Sequence, residues 1–182
     1  MTGRALPELP VRRALPELLR ALDDHGTGVL SAPTGSGKTT TLYSVLNAIN
    51  DEGIKIITTE DPVEYEVPGL VQVNINTNVG LTFAACLRSI LRQDPDVILV
   101  GEMRDLETIS IAVTAAEMGI LVMGTLHTNG AAATVDRIIN SFPADKQAHI
   151  RTMISTSLRG VISQQLLPTI HQPGRAAALE IM

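Results

Sequence analysis

The sequence predicts an α/β fold in which a mostly parallel β-sheet lies between layers of helices. Three observations predict it. Short apolar, β-branched segments alternate along the chain with longer segments of helical periodicity, which is typical of strand–helix–strand units. One of them, residues 97–100, is a continuous apolar run, as expected for a strand covered on both faces. The 182 residues, 45% of them hydrophobic, suffice for one domain with a sizeable core.

Six segments are predicted as strands because they are short, apolar and rich in β-branched residues. In chain order they are residues 28–31, 54–59, 71–75, 97–100, 120–126 and 176–181. The second follows a turn at Asp51-Glu52-Gly53, and the third alternates with period two, as a half-exposed strand does. The fourth is apolar throughout and the fifth is apolar except at Thr125, which is typical of buried parallel strands.

Five segments are predicted as helices because their apolar residues recur at intervals of three and four. In chain order they are residues 40–50, 81–93, 105–118, 131–139 and 144–164. Asp94-Pro95 is expected to end the second helix and Gly119 the third, since proline and glycine interrupt helices. Phe142-Pro143 separates the last two.

The most informative stretch lies between the first strand and the first helix and reads Ala-Pro-Thr-Gly-Ser-Gly-Lys-Thr, residues 32–39. It matches the phosphate-loop pattern G-x-x-x-x-G-K-[ST] except at Ala32, where the pattern has glycine. The alternative is a surface turn that happens to contain a lysine, but the flanking strand and helix favour a nucleotide site. The residues predicted to bind the nucleotide are Gly35, Ser36, Gly37, Lys38, Thr39 and Thr40.

Each of these residue types has a physical role at such a loop. Gly35 and Gly37 allow backbone N–H groups to converge on a polyphosphate at the positive end of the following helix. Lys38 would reach the β- and γ-phosphates of ATP, and the hydroxyl of Thr39 would bind Mg²⁺.

Polar residues follow three of the predicted strands, at the sheet edge where ligands of α/β folds bind. These clusters are residues 58–65, 101–105 and 124–129. Taken singly, each has a structural alternative: Glu60, Asp61 and Glu64 as a solvated acidic turn, Glu102 as the counter-charge of Arg104, His127 as a helix cap. Together beside a phosphate loop they predict a catalytic edge.

Composition excludes several other classes of protein. No run of 18 apolar residues exists, so no membrane-spanning helix is expected. Cys86 is the single cysteine, which excludes an internal disulfide and a multi-cysteine zinc site; we expect it buried on a helix. The net charge of −5, the two Tyr and two Phe and the absence of Trp argue against a nucleic-acid partner.

Four ordered motifs resemble those of the secretion ATPases of type II secretion, type IV pili and archaeal-type appendages. APTGSGKTTTLYSVLN is similar to their Walker A loop, TTEDPVEY to their aspartate box, the segment ending in VILVGEMRD to their Walker B region, and GTLHTN to their histidine box. The resemblance runs from about Gly28 to Met182. It implies a RecA-like P-loop NTPase core over residues 27–182, truncated at both ends, and an ATPase that binds ATP and Mg²⁺.

The resemblance also implies roles for individual residues. Glu102 would activate or position the attacking water, Glu60 would support Mg²⁺ or that water, and His127 would contact the γ-phosphate side. Mg²⁺ would therefore lie near Thr39 and Glu60, and Arg104 is a further catalytic candidate. In this family arginines from an N-terminal domain and linker neutralise the γ-phosphate.

Further implications concern the assembly and its location. Members form hexamers on an inner-membrane platform protein of a pilus or secretion system, so a cytoplasmic protein peripheral to the inner membrane is expected. The passage GEMRDLETI resembles the pilus retraction ATPases. The four-cysteine zinc insert common in assembly and type II enzymes does not occur between Leu167 and Gly174, which agrees with that resemblance. Residues 63–84 and LRQDP, residues 91–95, are more similar to the assembly and type II branch. Retraction is slightly favoured.

Departures from the family keep two alternatives open. Residues 1–26 are a lead-in of uncertain structure, and the family's N-terminal domain and C-terminal helical region are missing from the given chain. Residues 9–19 with the loop after them resemble the start of DEAH-type helicases, which suggests a helicase-like hybrid, although no Asp-Glu-x-His box occurs. A nucleotide-binding assembly module with little hydrolysis is the other alternative.

Overall fold

The computed structural model of the chain describes residues 27–31 (as backbone), 37–170 and 174–182. In these parts the elements are β1 (Thr27–Ser31), α1 (Lys38–Ile49), β2 (Ile56–Glu60), β3 (Val71–Asn74), α2 (Phe83–Ile90), β4 (Val97–Val100), α3 (Leu106–Glu117), β5 (Leu121–Leu126), α4 (Ala131–Asn140), α5 (Ala144–Ser157), β6 (Leu158–Pro168) and β7 (Arg175–Ile181). Short 3₁₀ turns at Thr77–Val79 and Leu91–Gln93 flank α2. The predicted lead-in, residues 1–26, lies outside the described residues.

The strands form one sheet in the order β3-β2-β4-β5-β1-β6-β7. All neighbouring pairs are parallel except β6 and β7, which pair antiparallel. The predicted mostly parallel sheet is therefore confirmed. Because β1, β2, β4 and β5 run in the same direction, their carboxyl ends meet at one edge of the sheet, where open α/β folds bind ligands.

Two hydrophobic layers cover the two faces of this sheet. Alternate strand residues point to opposite faces, so neighbours such as Ile56 and Ile57 belong to different layers. Leu42, Val45 and Leu46 of α1 pack on one face with Ile56, and helices α2 to α5 cover the other. This is the helix–sheet–helix layering that the alternation of elements predicted.

The predicted helix over residues 144–164 is wrong in its last part. Helix α5 ends at Ser157, and the chain continues as strand β6, which pairs with β1 and β7. Ile150, Ile154 and Val161 continue a helix-like apolar spacing, so periodicity alone did not reveal the change. Gly160 and the β-branched residues after it disfavour helix, and β1 offers a parallel partner.

Capping interactions determine where the helices start, including where the observed start differs from the predicted one. The hydroxyl of Thr82 accepts a hydrogen bond from the backbone N–H of Ala85, so α2 begins at Phe83 and not at residue 81. Asp105 caps α3 through the N–H of Thr108 at 2.8 Å. Cys86 is buried on α2, as expected. No helix in the described parts of the chain combines the length and apolar character needed to cross a membrane.

Candidate active site

The residues predicted for the site come together in a cleft of about 540 Å³ at the carboxyl edge of the sheet. Its size is in the range of small-molecule sites. The predicted residues that line it are Gly37, Lys38, Thr39, Thr40, Glu60, Glu102, Arg104 and His127. Gly35 and Ser36 were also predicted to bind the nucleotide, and they lie outside the described residues.

Gly37 begins helix α1 with a backbone that only glycine adopts readily. Its φ is 78°, in the left-handed region, and a Cβ atom there would lie 3.3 Å from Nε2 of Gln164. The hydroxyl of Thr41 donates to Oε1 of Gln164 over 2.8 Å. Strand β6, which carries Gln164, thus packs directly against Gly37 and Thr41 at the start of α1, although its sequence was predicted to be helical.

A continuous set of polar contacts crosses the cleft from Lys38 to Arg104. Nζ of Lys38 lies 3.2 Å from Nδ1 of His127, and Nε2 of His127 contacts Oε1 of Glu102. The other oxygen of Glu102 is 2.5 Å from Nη2 of Arg104. An ammonium group can only donate, so Nδ1 accepts and the ring proton sits on Nε2. This arrangement corresponds to a neutral His127 that donates to Glu102.

Burial and neighbouring charges shift two pKa values in this set. Burial lowers the pKa of Lys38, and the negative charge of Glu102 partly opposes that effect. Burial by itself would raise the pKa of Glu102, but hydrogen bonds from Arg104 and His127 and the positive charge of Arg104 outweigh it and hold the pKa below its ordinary value. Glu102 is therefore ionised at neutral pH. The predicted alternative, an ion pair with Arg104, is present, and His127 shares the same carboxylate.

Hydrogen bonds to the neighbouring strands fix the backbone that follows β4, where Glu102 lines the cleft. The N–H of Gly101 donates to the carbonyl of Thr59 over 2.7 Å, and a Cβ atom at Gly101 would come 2.7 Å from that oxygen. Thr125 on β5 donates its hydroxyl to the carbonyl of Gly101. The N–H of Met103 donates back to the carbonyl of Thr125 over 3.0 Å. Glu102 therefore lies between two anchored residues.

Thr39 faces a carboxylate that the motif analysis did not select. Its hydroxyl donates to Oε1 of Glu64 over 3.1 Å, and Glu64 is exposed at the cleft. Glu60 is 5% exposed. Its carboxylate accepts hydrogen bonds from Tyr43, Thr58 and Gln72. The acidic segment was recognised from sequence, but which acid reaches Thr39 depends on the loop after β2.

The cleft thus brings together a partly buried ammonium group, a hydroxyl beside a carboxylate, and an ionised glutamate shared by an imidazole and a guanidinium group. The first can bind phosphate, the second offers the oxygen ligands that Mg²⁺ prefers, and the third can accept a proton from water. Among residues 37–170 and 174–182, no group of three His, Cys, Asp or Glu side chains is arranged to hold a metal ion.

Similarity to known proteins covers nearly the whole chain. A family described as "Type II/IV secretion system protein" matches residues 11–180. A twitching motility protein of Neisseria gonorrhoeae is 52% identical over 162 residues, which are 87% of this chain and 43% of that protein. The type IV pilus assembly ATPase PilB of Acinetobacter baylyi is 52% identical over 163 residues, 89% of this chain and 27% of PilB.

A solved structure agrees with the fold. The pilus retraction motor PilT with bound ADP superposes with a TM-score of 0.87 at 43% identity, over 98% of this chain and 55% of that one. The chain spans about half or less of the length of these relatives. The family match includes most of residues 9–19, for which a similarity to helicases was noted. With 170 residues inside the family match, the chain belongs to the type II/IV secretion system protein family.

Proposed function

We propose that this chain is the ATP-binding and ATP-hydrolysing core of a motor that powers a type IV pilus or a type II secretion machinery. The observation that carries the proposal is the contact of Lys38 with His127 and of His127 with Glu102. Lys38 begins α1, and all three residues line one cleft together with Thr39. Family membership and the ADP bound in the similar retraction motor support it.

Lys38 is proposed to bind the β- and γ-phosphates of ATP. In the present arrangement its ammonium group contacts His127, and it would exchange this neutral acceptor for phosphate oxygens. Burial leaves the ammonium group poorly solvated and thereby lowers its pKa. Binding an anion would restore the lost stabilisation of its charge, which favours phosphate at this position.

Thr39 and Glu64 fit a magnesium ion by the chemistry of their donor atoms. A hydroxyl oxygen and a carboxylate oxygen 3.1 Å apart are the kinds of ligand that Mg²⁺ takes together with nucleotide phosphates. When bound, Mg²⁺ would neutralise part of the charge that develops on the transferred phosphoryl group. Glu60 is proposed to support this site from behind, since three donors already occupy its carboxylate.

Glu102 is proposed to position or deprotonate the water that attacks the γ-phosphate. Its lowered pKa keeps it ionised and therefore able to accept a proton. The Nε2–H of His127 and the guanidinium group of Arg104 hold the carboxylate. Once Lys38 moves to the phosphates, Nδ1 of His127 would face the γ-phosphate side, and Arg104, exposed at the rim, could move toward the same charge.

Assembly and cellular role belong to the same proposal. We propose a homo-hexamer that works with an inner-membrane platform protein, on the cytoplasmic side, without nucleic acid. Retraction is slightly favoured over assembly or secretion on the passage GEMRDLETI. The equal identity to the twitching motility protein and to PilB favours neither branch.

Titration with a fluorescent ATP analogue tests the proposal most directly. Lys38→Ala removes the cation of the loop and should weaken nucleotide binding at least about a hundredfold. Lys55→Ala is the matched control, because Lys55 contacts the carbonyl of Gln93 away from the cleft and should leave binding unchanged. Equal affinity of wild type and Lys38→Ala would refute the nucleotide site. If the chain binds ATP but releases no phosphate in a hydrolysis assay, the alternative of a nucleotide-binding assembly module would be favoured.

A further inference from the structure

Glu60 is a buried carboxylate whose two oxygens are engaged by donors from α1, β2 and β3. Oε2 accepts from the hydroxyl of Tyr43, and Oε1 accepts from Thr58 over 2.5 Å and from Nε2 of Gln72 over 3.2 Å. Tyr43 is 1% exposed and Glu60 5%. A carboxylate with this many donors is stabilised as an anion where it lies, and moving it toward a ligand would break those bonds.

The same donors also hold the backbone of the loop that carries Glu64. Nε2 of Gln72 donates to the carbonyl of Tyr65 over 3.2 Å. The rings of Tyr43 and Tyr65 pack at a centroid distance of 4.2 Å. On the other side of Glu64, the N–H of Val63 donates to Oδ1 of Asn74 over 2.9 Å. Both chain neighbours of Glu64 are therefore fixed to the sheet or to α1.

The hydroxyl of Tyr43 connects these two sets of contacts. Burial first, and then the hydrogen bond and charge of Glu60, raise its pKa. Backbone hydrogen bonds from Glu64 and Tyr65 act in the opposite direction. The hydroxyl donates to Glu60 and accepts from Nε2 of Gln72 over 3.4 Å, and the same amide holds the carbonyl of Tyr65 next to Glu64.

We propose that Tyr43, Gln72 and Glu60 form a positioning cluster that holds the Glu64 carboxylate beside Thr39. This inference rests on the proposed function, since it concerns the proposed magnesium site. The cluster acts through Glu64 and not on the nucleotide. The Mg²⁺ dependence of nucleotide binding would therefore depend on residues that do not contact the cation. In metal sites generally, residues hydrogen-bonded to the ligands orient those ligands.

The test is the Mg²⁺ dependence of nucleotide affinity, measured by equilibrium titration of the whole chain with a fluorescent ATP analogue. Tyr43→Phe keeps the ring and removes the hydroxyl. It should raise the Mg²⁺ concentration for half-maximal tightening about tenfold, and leave affinity in the presence of EDTA unchanged. Tyr65→Phe is the matched control, because it leaves the Tyr43–Glu60 hydrogen bond in place, and it should behave as wild type.

Two further measurements separate positioning from a general structural role. In a Glu64→Gln background, Tyr43→Phe should have no additional effect on the Mg²⁺ response, because the cluster acts through that carboxylate. Gln72→Met removes the donor to Glu60 and to Tyr65. It should raise the half-maximal Mg²⁺ concentration in the same way, and it replaces Tyr43→Phe if that variant fails to fold.

Unchanged Mg²⁺ dependence in the folded variants, or an undiminished effect in the Glu64→Gln background, would overturn this inference and leave the proposed function standing. A wild-type chain without nucleotide binding would overturn the proposed function and this inference with it.

Discussion

Nζ of Lys38 lies 3.2 Å from Nδ1 of His127, so the lysine of the phosphate loop and the histidine after β5 are in direct contact across the cleft. They are 89 positions apart in the chain. The contact requires Nδ1 to be unprotonated, and it gives the lysine a neutral partner that phosphate can replace. Access of the nucleotide to Lys38 is therefore coupled to the position of His127.

Removal of the imidazole should separate binding from hydrolysis. His127→Ala frees Lys38 and leaves its positive charge in place, so nucleotide affinity should change little. Turnover should fall about a hundredfold, because Glu102 loses the Nε2–H donor that holds its carboxylate. Phosphate release and nucleotide titration measure the two effects. His149→Ala, an exposed histidine on α5, is the control. A large loss of affinity in His127→Ala would contradict the assigned role.

Glu102→Gln should keep ATP binding and lose turnover. The amide retains the size of the side chain but cannot accept a proton from water, so the loss should appear in kcat. The alternative is a purely structural ion pair with Arg104. Under that alternative the variant would bind ATP poorly, and its remaining turnover would scale with the folded fraction.

The pKa of Glu102 also predicts the acid dependence of stability. Because the folded pKa lies below the ordinary value of 4.5, the carboxylate stabilises the fold fully above that value. This contribution is lost as the pH falls through the folded pKa. The difference in Tm between wild type and Glu102→Gln should therefore shrink between about pH 5 and about pH 3. Glu117→Gln, at an exposed position of α3, is the control substitution.

Glu64→Gln should increase the Mg²⁺ requirement of nucleotide binding. The carboxylate lies 3.1 Å from the Thr39 hydroxyl, and the neutral amide is a weaker ligand for a hard cation. We expect a shift of roughly tenfold or more in the half-saturating Mg²⁺ concentration. Glu66→Gln changes an exposed acid two positions along the chain and should leave the requirement unchanged. Identical Mg²⁺ curves for both variants would argue against a metal-facing Glu64.

Hydrolysis and assembly should increase together when an N-terminal domain is supplied. Purified by itself, the 182-residue chain is expected to be mostly monomeric and to hydrolyse ATP slowly, because the family resemblance implies that arginines from outside residues 27–182 neutralise the γ-phosphate. A missing arginine finger costs about a thousandfold or more. Fusion to the N-terminal domain of a related ATPase should raise phosphate release and hexamer formation, measured by sedimentation.

Brisk hydrolysis by the monomer would instead indicate arginines within the core. Arg88, Arg92 and Arg104 are then the candidates to substitute. Arg88 is paired with Glu107 on the neighbouring helix, whereas Arg104 lines the cleft.

The sequence determined the order of most elements and the chemistry of the cleft. Periodicity and β-branched runs predicted β4 at its observed bounds, and the motifs predicted that Lys38, Thr39, Glu102 and His127 would share one edge. These features depend on local pattern and on the rule that parallel strands end at the same edge, and both can be judged from the chain alone.

Only the tertiary structure decided which partners these residues take. The change from helix to strand at Leu158 depends on the free edge of β1, because the local pattern was compatible with both. Likewise, the acids of one short segment differ in role because Glu60 ends β2 inside the core, whereas Glu64 follows on the loop and meets Thr39. Burial and hydrogen bonding between distant parts of the chain determine these differences, and the spacing of residues along the chain does not reveal them.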